Sequence, residues 1–302
     1  MAPKVTHLYK RDDSTTIDEV SGYHHSRFVL DPVHGVATLR MRPTPRPCYT
    51  PELLEEIDRF EREVASRVRN SIEHNHEPDI RYIVLASDVP DVFNLGGDLN
   101  RFTDLIRRGD RQELTNYAHA CINVAHRWSV ALELPITPIA LIQGRALGGG
   151  FEAALASHII IAERGSVCGF PESVFSLYPG MGAASFLMQR VSPGRAERMI
   201  RTGKLYSAEE LYEMEIVDVL CEKGEGERAL RNVIRKYEKQ VGMRDFIQLM
   251  RQKHNRASYD EMKSITEQWV ESALKLTEND LKVMERLVRS QNRLTDGSTG
   301  AH

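Results

Sequence analysis

The sequence predicts an α/β core followed by an all-helical last quarter, and two observations carry the prediction. From Gly35 to about Leu220, short β-rich apolar runs alternate with stretches that repeat their apolar residues at helical spacing. Beyond that point the strand signals stop and four helix-like segments follow one another. The chain has 302 residues, 41% hydrophobic and 27% charged, which is enough apolar matter for a large core. The same figures exclude collagen-like, disordered and disulfide-scaffold classes.

Taken in order, residues 1–25 are polar and unpatterned and read as an N-terminal arm or frayed terminus. VATLRM after Gly35 reads as a strand. Pro51 opens a charged run in which Leu53, Leu54, Ile57, Phe60, Val64 and Val68 recur at three- and four-residue steps, one face of a helix. Tyr82 to Ser87 is a strand leading into Gly96-Gly97-Asp98, after which LNRFTDLIRR is helical. A helix over Glu113 to Trp128, a strand over Ile139 to Gln143, a glycine turn, a helix from Gly149 and a strand over Ile159 to Ala162 complete the alternation. RALRNVIRKYEKQV, FIQLMRQKH, MKSITEQWVESALKL and DLKVMERLVRSQNRL are the four terminal helices, ahead of a Gly/Ser-containing tail after Asp296. The boundaries drawn on this basis are 1–25, a core over 26–222 and a helical region over 223–302.

Forty Lys and Arg face 43 Asp and Glu, a net charge of −3, so bulk charge gives no footprint for nucleic acid or a membrane surface. Mean hydropathy is −0.40, and the longest apolar stretches fall well short of the ~18 residues a membrane span needs. MAPKVTHLYKRDD has no apolar region of the secretory kind, and a cytoplasmic location is the expectation. Cys48, Cys121, Cys168 and Cys221 are scattered without C-x-x-C spacing and read as free thiols. His74, His76 and His158 lack the companions that metal ligands need and read as structural.

The most informative segment is Gln143-Gly-Arg-Ala-Leu-Gly148-Gly149-Gly150-Phe-Glu152, a β-rich run whose triple glycine opens a helix. Glycines let a substrate approach the main chain, and a helix start presents unpaired N–H groups at the positive end of the dipole. That makes a candidate oxyanion hole; a tight turn packed closely for structural reasons is the alternative. Phe93-Asn-Leu-Gly96-Gly97-Asp98 is a second such turn, and one N–H from each could grip the same oxygen. Asp98 reads as a helix N-cap. Glu152 and, twenty residues later, Glu172 in Gly169-Phe-Pro-Glu172 could divide general acid and base duty, although either alone reads as a surface or structural residue.

FNLGGDL, QGRALGGGFEAAL and FPESVFSLYPGMGA, in this order and spacing over roughly residues 28–222, resemble the crotonase (enoyl-CoA hydratase/isomerase) superfamily. The resemblance implies a spiral of β-β-α units with a helical C-terminal region, an oxyanion hole from the N–H groups of Gly97 and Gly149, and catalytic glutamates at Glu152 and Glu172. It also implies trimers, or trimers paired into hexamers. Ser157-His158 stands where the superfamily has a Cys-Asp-like pair, and Phe170 where glutamine is common. With KLYSAEEL and ITEQWV, these features are similar to the diffusible signal factor synthases of bacterial quorum sensing. That similarity implies dehydration of a 3-hydroxyacyl chain on acyl carrier protein, hydrolysis of the cis-2-enoyl thioester to the free acid, and no metal or organic cofactor. Acyl-CoA is the alternative donor, and a sensor kinase is an implied partner.

For the acyl chain the sequence offers Leu147, Met181, Trp269 and Leu287 as pocket residues, methionine for adaptability and tryptophan for a large wall, with ordinary core as the alternative. Arg101, Arg107, Arg108 and Arg111, and separately Arg190, Arg195, Arg198 and Arg201, are two groups that could meet an acidic carrier or its phosphate; solvated helix faces are the alternative. Three functions are in play: the dual dehydratase and thioesterase, a plain enoyl-CoA hydratase or isomerase, and a binding role, against which the two glutamates argue.

Overall fold

The computed structural model describes residues 5–11, 15–254 and 256–296, with side chains over 17–254 and 256–291. The Gly/Ser-containing tail after Asp296 lies outside the described residues. The strands are β1 (Val5–Arg11), β2 (Thr15–Val20), β3 (Ser26–Asp31), β4 (Val36–Met41), β5 (Tyr82–Ser87), β6 (Val92–Asn94), β7 (Thr137–Ile142), β8 (Arg145–Leu147), β9 (Ile159–Glu163), β10 (Val167–Gly169), β11 (Leu205–Ser207) and β12 (Val219–Cys221). The helices are α1 (Pro51–Glu73), α2 (Leu99–Arg107), α3 (Arg111–Ser129), α4 (Gly149–Leu155), α5 (Ala183–Leu187), α6 (Pro193–Thr202), α7 (Ala208–Glu213), α8 (Gly226–Glu238), α9 (Val241–His254), α10 (Tyr259–Ala273) and α11 (Glu278–Asp296).

The first sheet runs β1-β2-β3-β4-β5-β7-β9-β12, antiparallel as far as β4 and parallel from β4 onward. The second runs β11-β10-β8-β6, with β6, β8 and β10 parallel. Each turn of the chain therefore gives a strand to the first sheet, a short strand to the second and then helix: β5-β6-α2, β7-β8-α4, β9-β10-α5. This is the crotonase-type spiral of β-β-α units. In the opening turn Tyr49 takes the place of the short strand, bridging Gly97.

Parallel strands covered on both faces need apolar residues throughout, and β5, β7 and β9 are buried along their whole length. Their alternate residues enter different layers. Ile83, Leu85, Ala140, Ile142, Ile160 and Ala162 face the main core, while Tyr82, Val84, Ile139, Leu141 and Ile161 pack under Leu230, Val233 and Ile234 of α8. α1 starts as its residues dictate, with Thr50 Oγ1 accepting from the Leu53 N–H at 3.2 Å and proline in the first turn. α10 packs on α3 and α11 on α2.

Two expectations are corrected. The stretch read as an unpatterned arm, 1–25, carries β1 and β2, which pair antiparallel and extend the first sheet at its edge; their mixed polar sequence is what a strand at an exposed edge carries. Of the short second-sheet strands, β8 falls in the β-rich run before the triple glycine, while β10 and β11 went unread because three residues show no periodicity.

Candidate active site

The two glycine turns meet backbone to backbone. Gly96 has φ +94°, and a Cβ there would stand 2.8 Å from the Leu147 carbonyl oxygen and 3.0 Å from the Gly149 nitrogen. A Cβ on Gly150 would fall 2.1 Å from the Asn94 carbonyl oxygen. Glycine is thus required by the approach itself, which is the structural reading of these turns. The Gly96 N–H donates to Asn94 Oδ1 at 2.8 Å and the Asp98 N–H to Tyr117 Oη at 3.2 Å, so Gly97 carries the uncommitted N–H of that turn. Gly149 is the first residue of α4, where the helix supplies its N–H with no acceptor. Both glycines line one cavity.

Glu152, on the first turn of α4, is 3% exposed and also lines that cavity. Its Oε1 accepts the N–H groups of Met181 and Ala183, each at 2.9 Å. Burial pushes its carboxyl up to about 7 against the opposing pull of those two amides. Glu172 sits in the 3-10 turn Pro171–Phe175, half-buried, with Oε1 only 2.5 Å from where a Gly148 Cβ would be. Gly148 has φ +52°, so conformation and space both call for glycine beside this carboxyl. Glu172 Oε2 is buried without a partner. Burial first, and then the charge of Glu152, push Glu172 up to about 8. Two interacting acids of this kind hold one proton between them near neutrality, which suits one to give a proton and the other to take one.

The cavity is narrow and partly open, with about 50 Å³ of free volume. It runs between three helices: Leu54 and Ile57 of α1, Cys121, Val124, Ala125 and Trp128 of α3, and Ala153 with Ala156 next to Glu152. Met181 lines it as the sequence suggests; the other three pocket residues do not. Leu147 packs with Val92 and Leu95 in a separate small cluster. Trp269 lies over Gly180, edge to face with Phe102 at 5.1 Å. Leu287 is partly buried against the main core from α11. The tryptophan of the cavity is Trp128, whose Nε1 donates to Ser157 Oγ at 2.9 Å. Ser157 and His158 are thus anchors: His158 Nε2 lies 3.1 Å from the Ser129 carbonyl, and burial holds this imidazole down at about 3.

Sequence reasoning missed Trp128, Cys121, Leu54 and Ile57 as cavity residues because helical spacing makes a lining face look like any core face. Burial raises the Cys121 thiol to about 12, so it serves as an apolar wall. The first arginine group is spoken for within the fold: Arg101 pairs with Glu113, Arg107 with Glu278 and Glu285, Arg108 with Asp104, and Arg111 with Glu271. Arg190 holds the Ser157 and Ile216 carbonyls. Arg195, Arg198 and Arg201 stand exposed on α6, which packs on the turn carrying Glu172.

The chain is similar to known proteins in agreement with this geometry. It is 37% identical to methylglutaconyl-CoA hydratase 1, mitochondrial, of Pyricularia oryzae over 142 residues, 47% of this chain and 39% of that one, so the match spans about two-fifths of the relative's length. An enoyl-CoA hydratase structure from Bacillus halodurans superposes with a TM-score of 0.73 at 19% identity, covering 87% of this chain and 100% of the other. DspI of Pseudomonas aeruginosa superposes with a TM-score of 0.58 at 26% identity, covering 83% and 89%. The model of the enoyl-CoA hydratase/isomerase family matches residues 60–289. With that match over most of its length, on a β-β-α spiral that brings two glycine turns together, with Glu152 in the cavity beside them and Glu172 against Gly148, the chain belongs to the enoyl-CoA hydratase/isomerase family.

Proposed function

We propose that the protein dehydrates a 3-hydroxyacyl thioester carried by acyl carrier protein and then hydrolyses the thioester, releasing a cis-2-unsaturated fatty acid of the signalling kind. The observation that carries the chemistry is the pair of carboxyl groups raised to about 7 and about 8, Glu152 lining an apolar cavity with Gly97 and Gly149 and Glu172 standing against the adjoining Gly148. The motif resemblance to diffusible signal factor synthases supplies the substrate.

The thioester oxygen lies between the two N–H groups, which stabilise the enolate formed as the α-proton leaves. Glu152, which accepts two amides, is the readier carboxylate and takes that proton. Glu172, with Oε2 unpartnered and the neighbouring charge opposing its ionisation, stays neutral and protonates the departing 3-hydroxyl as water. Water that gives its proton to a glutamate then attacks the thioester carbonyl, the same two N–H groups hold the tetrahedral oxyanion, and its collapse breaks the C–S bond, the carrier thiol leaving with the proton the glutamate took. The exposed Arg195, Arg198 and Arg201 next to the Glu172 turn give an acidic carrier a place to dock. The resemblance also brings a homotrimer or hexamer and a sensor-kinase partner.

Mass spectrometry of the products from a 3-hydroxyacyl carrier protein tests the proposal, with Glu152→Ala and Glu172→Ala run alongside. Free 2-enoic acid from the wild type and from neither variant is the expected result. Enoyl thioester without acid would replace this reading with a hydratase acting on acyl-CoA, the reading that the methylglutaconyl-CoA hydratase relative favours.

A further inference from the structure

A carboxyl group that the mechanism does not use closes the other end of the cavity. Glu61 of α1 is 1% exposed and lines the cavity with Trp128 and Ala156. Its Oε2 accepts from Arg127 Nε at 2.7 Å, and Arg127 is itself fixed by Asp58 at 2.6 Å. Its Oε1 is buried with no partner. Cys121, at the end near Tyr117 and Glu152, and Trp128, next to Arg127, lie seven residues apart on α3, which is about 10 Å of helix. Apart from the catalytic end, the lining between them is apolar.

A buried carboxyl oxygen with no hydrogen-bond partner, on a residue lining an otherwise apolar cavity, is destabilising unless a ligand bonds to it. Resting on the reading of this cavity as the acyl site, we infer that Glu61 recognises the far end of the substrate and that the preferred acyl chain carries a hydroxyl there. A hydroxyl both donates and accepts, so it satisfies Glu61 in either protonation state. A second carboxylate would be repelled, and a plain methyl end leaves the oxygen orphaned. Burial raises Glu61 to about 8 despite Arg127, in keeping with a group set against an apolar space.

The test is calorimetric binding of acyl carrier protein whose phosphopantetheine thiol bears a 2-oxoalkyl thioether, which presents the carbonyl and cannot be cleaved. Plain and ω-hydroxylated members are compared at each of a series of medium to long chain lengths. At the length that reaches Glu61, the hydroxylated probe should bind about tenfold to a hundredfold more tightly. Glu61→Gln should keep most of this preference, and Glu61→Leu should abolish it and tighten the plain chain. Equal affinities at every length in the wild type, a measurement that needs no variant, or a preference that persists in Glu61→Leu, would overturn the inference and leave the acyl site standing. Failure of every probe to bind would overturn both.

Discussion

Asp98 and Glu152 stand at helix starts in consecutive turns of the spiral, Asp98 as the N-cap of α2 and Glu152 in the first turn of α4. Asp98 Oδ1 accepts the N–H groups of Asn100 and Arg101 and meets Arg46 at 2.6 Å, so the fold itself compensates its charge. Glu152 receives two amides and burial, and its carboxyl rises to about 7. Similar helix starts thus hold an ion-paired acid in one turn and a buried acid with a raised carboxyl in the next. The difference lies in how deeply each carboxylate is buried and in whether a cation was placed beside it.

The largest expected effect sharpens that contrast. Glu152→Gln should lower kcat by roughly 10² to 10⁴, as removal of a general acid or base does, while Asp98→Asn, which keeps an acceptor at the cap, should stay within about tenfold. Equal losses in a steady-state assay would break the comparison. Next comes the turn geometry: Gly150→Ala drives a methyl into the Asn94 carbonyl and should destabilise the fold by about 3 kcal/mol in urea unfolding. Gly149→Ala, whose Cβ would make only ordinary contacts at 3.5 Å, should lose less than about 1 kcal/mol. Asp98→Ala removes a cap and leaves Arg46 unpaired, and about 1–2 kcal/mol is the expected loss by the same method.

The smallest effect is in the pH dependence of stability. Glu152 and Glu172 have carboxyls raised above the ordinary value near 4.3, so the folded state holds protons that the unfolded chain has released. Their contribution is complete below about pH 4 and is lost as pH rises through about 7 and about 8. Glu172→Gln should therefore lose less stability than the wild type between weakly acid and alkaline pH, by about 1 kcal/mol, read as Tm against pH. A larger loss in the variant would reverse the assignment of burial as the dominant cause.

The alternation that defines the spiral was legible because β5, β7 and β9 are continuous apolar runs and α1 and α3 repeat at helical spacing. The glycine turns and both glutamates were legible as motifs. The pocket was legible in part: Met181 lines the cavity, while Trp269 and Leu287 sit on faces turned toward Gly180, Phe102 and the main core. Spacing gives the face of a helix and is silent on what that face meets.

By itself, then, the sequence determined the long core strands and the helices, the two glycine turns and the kinds of chemical groups available, because periodicity, glycine and carboxylates are local properties. Tertiary structure alone decided that Met181 and Ala183 would hold Glu152, that Glu172 would press on Gly148, and that Glu61 rather than an alkyl side chain would close the cavity. Burial and the identity of the nearest charge decide what a carboxyl does, and both arise only when distant segments pack.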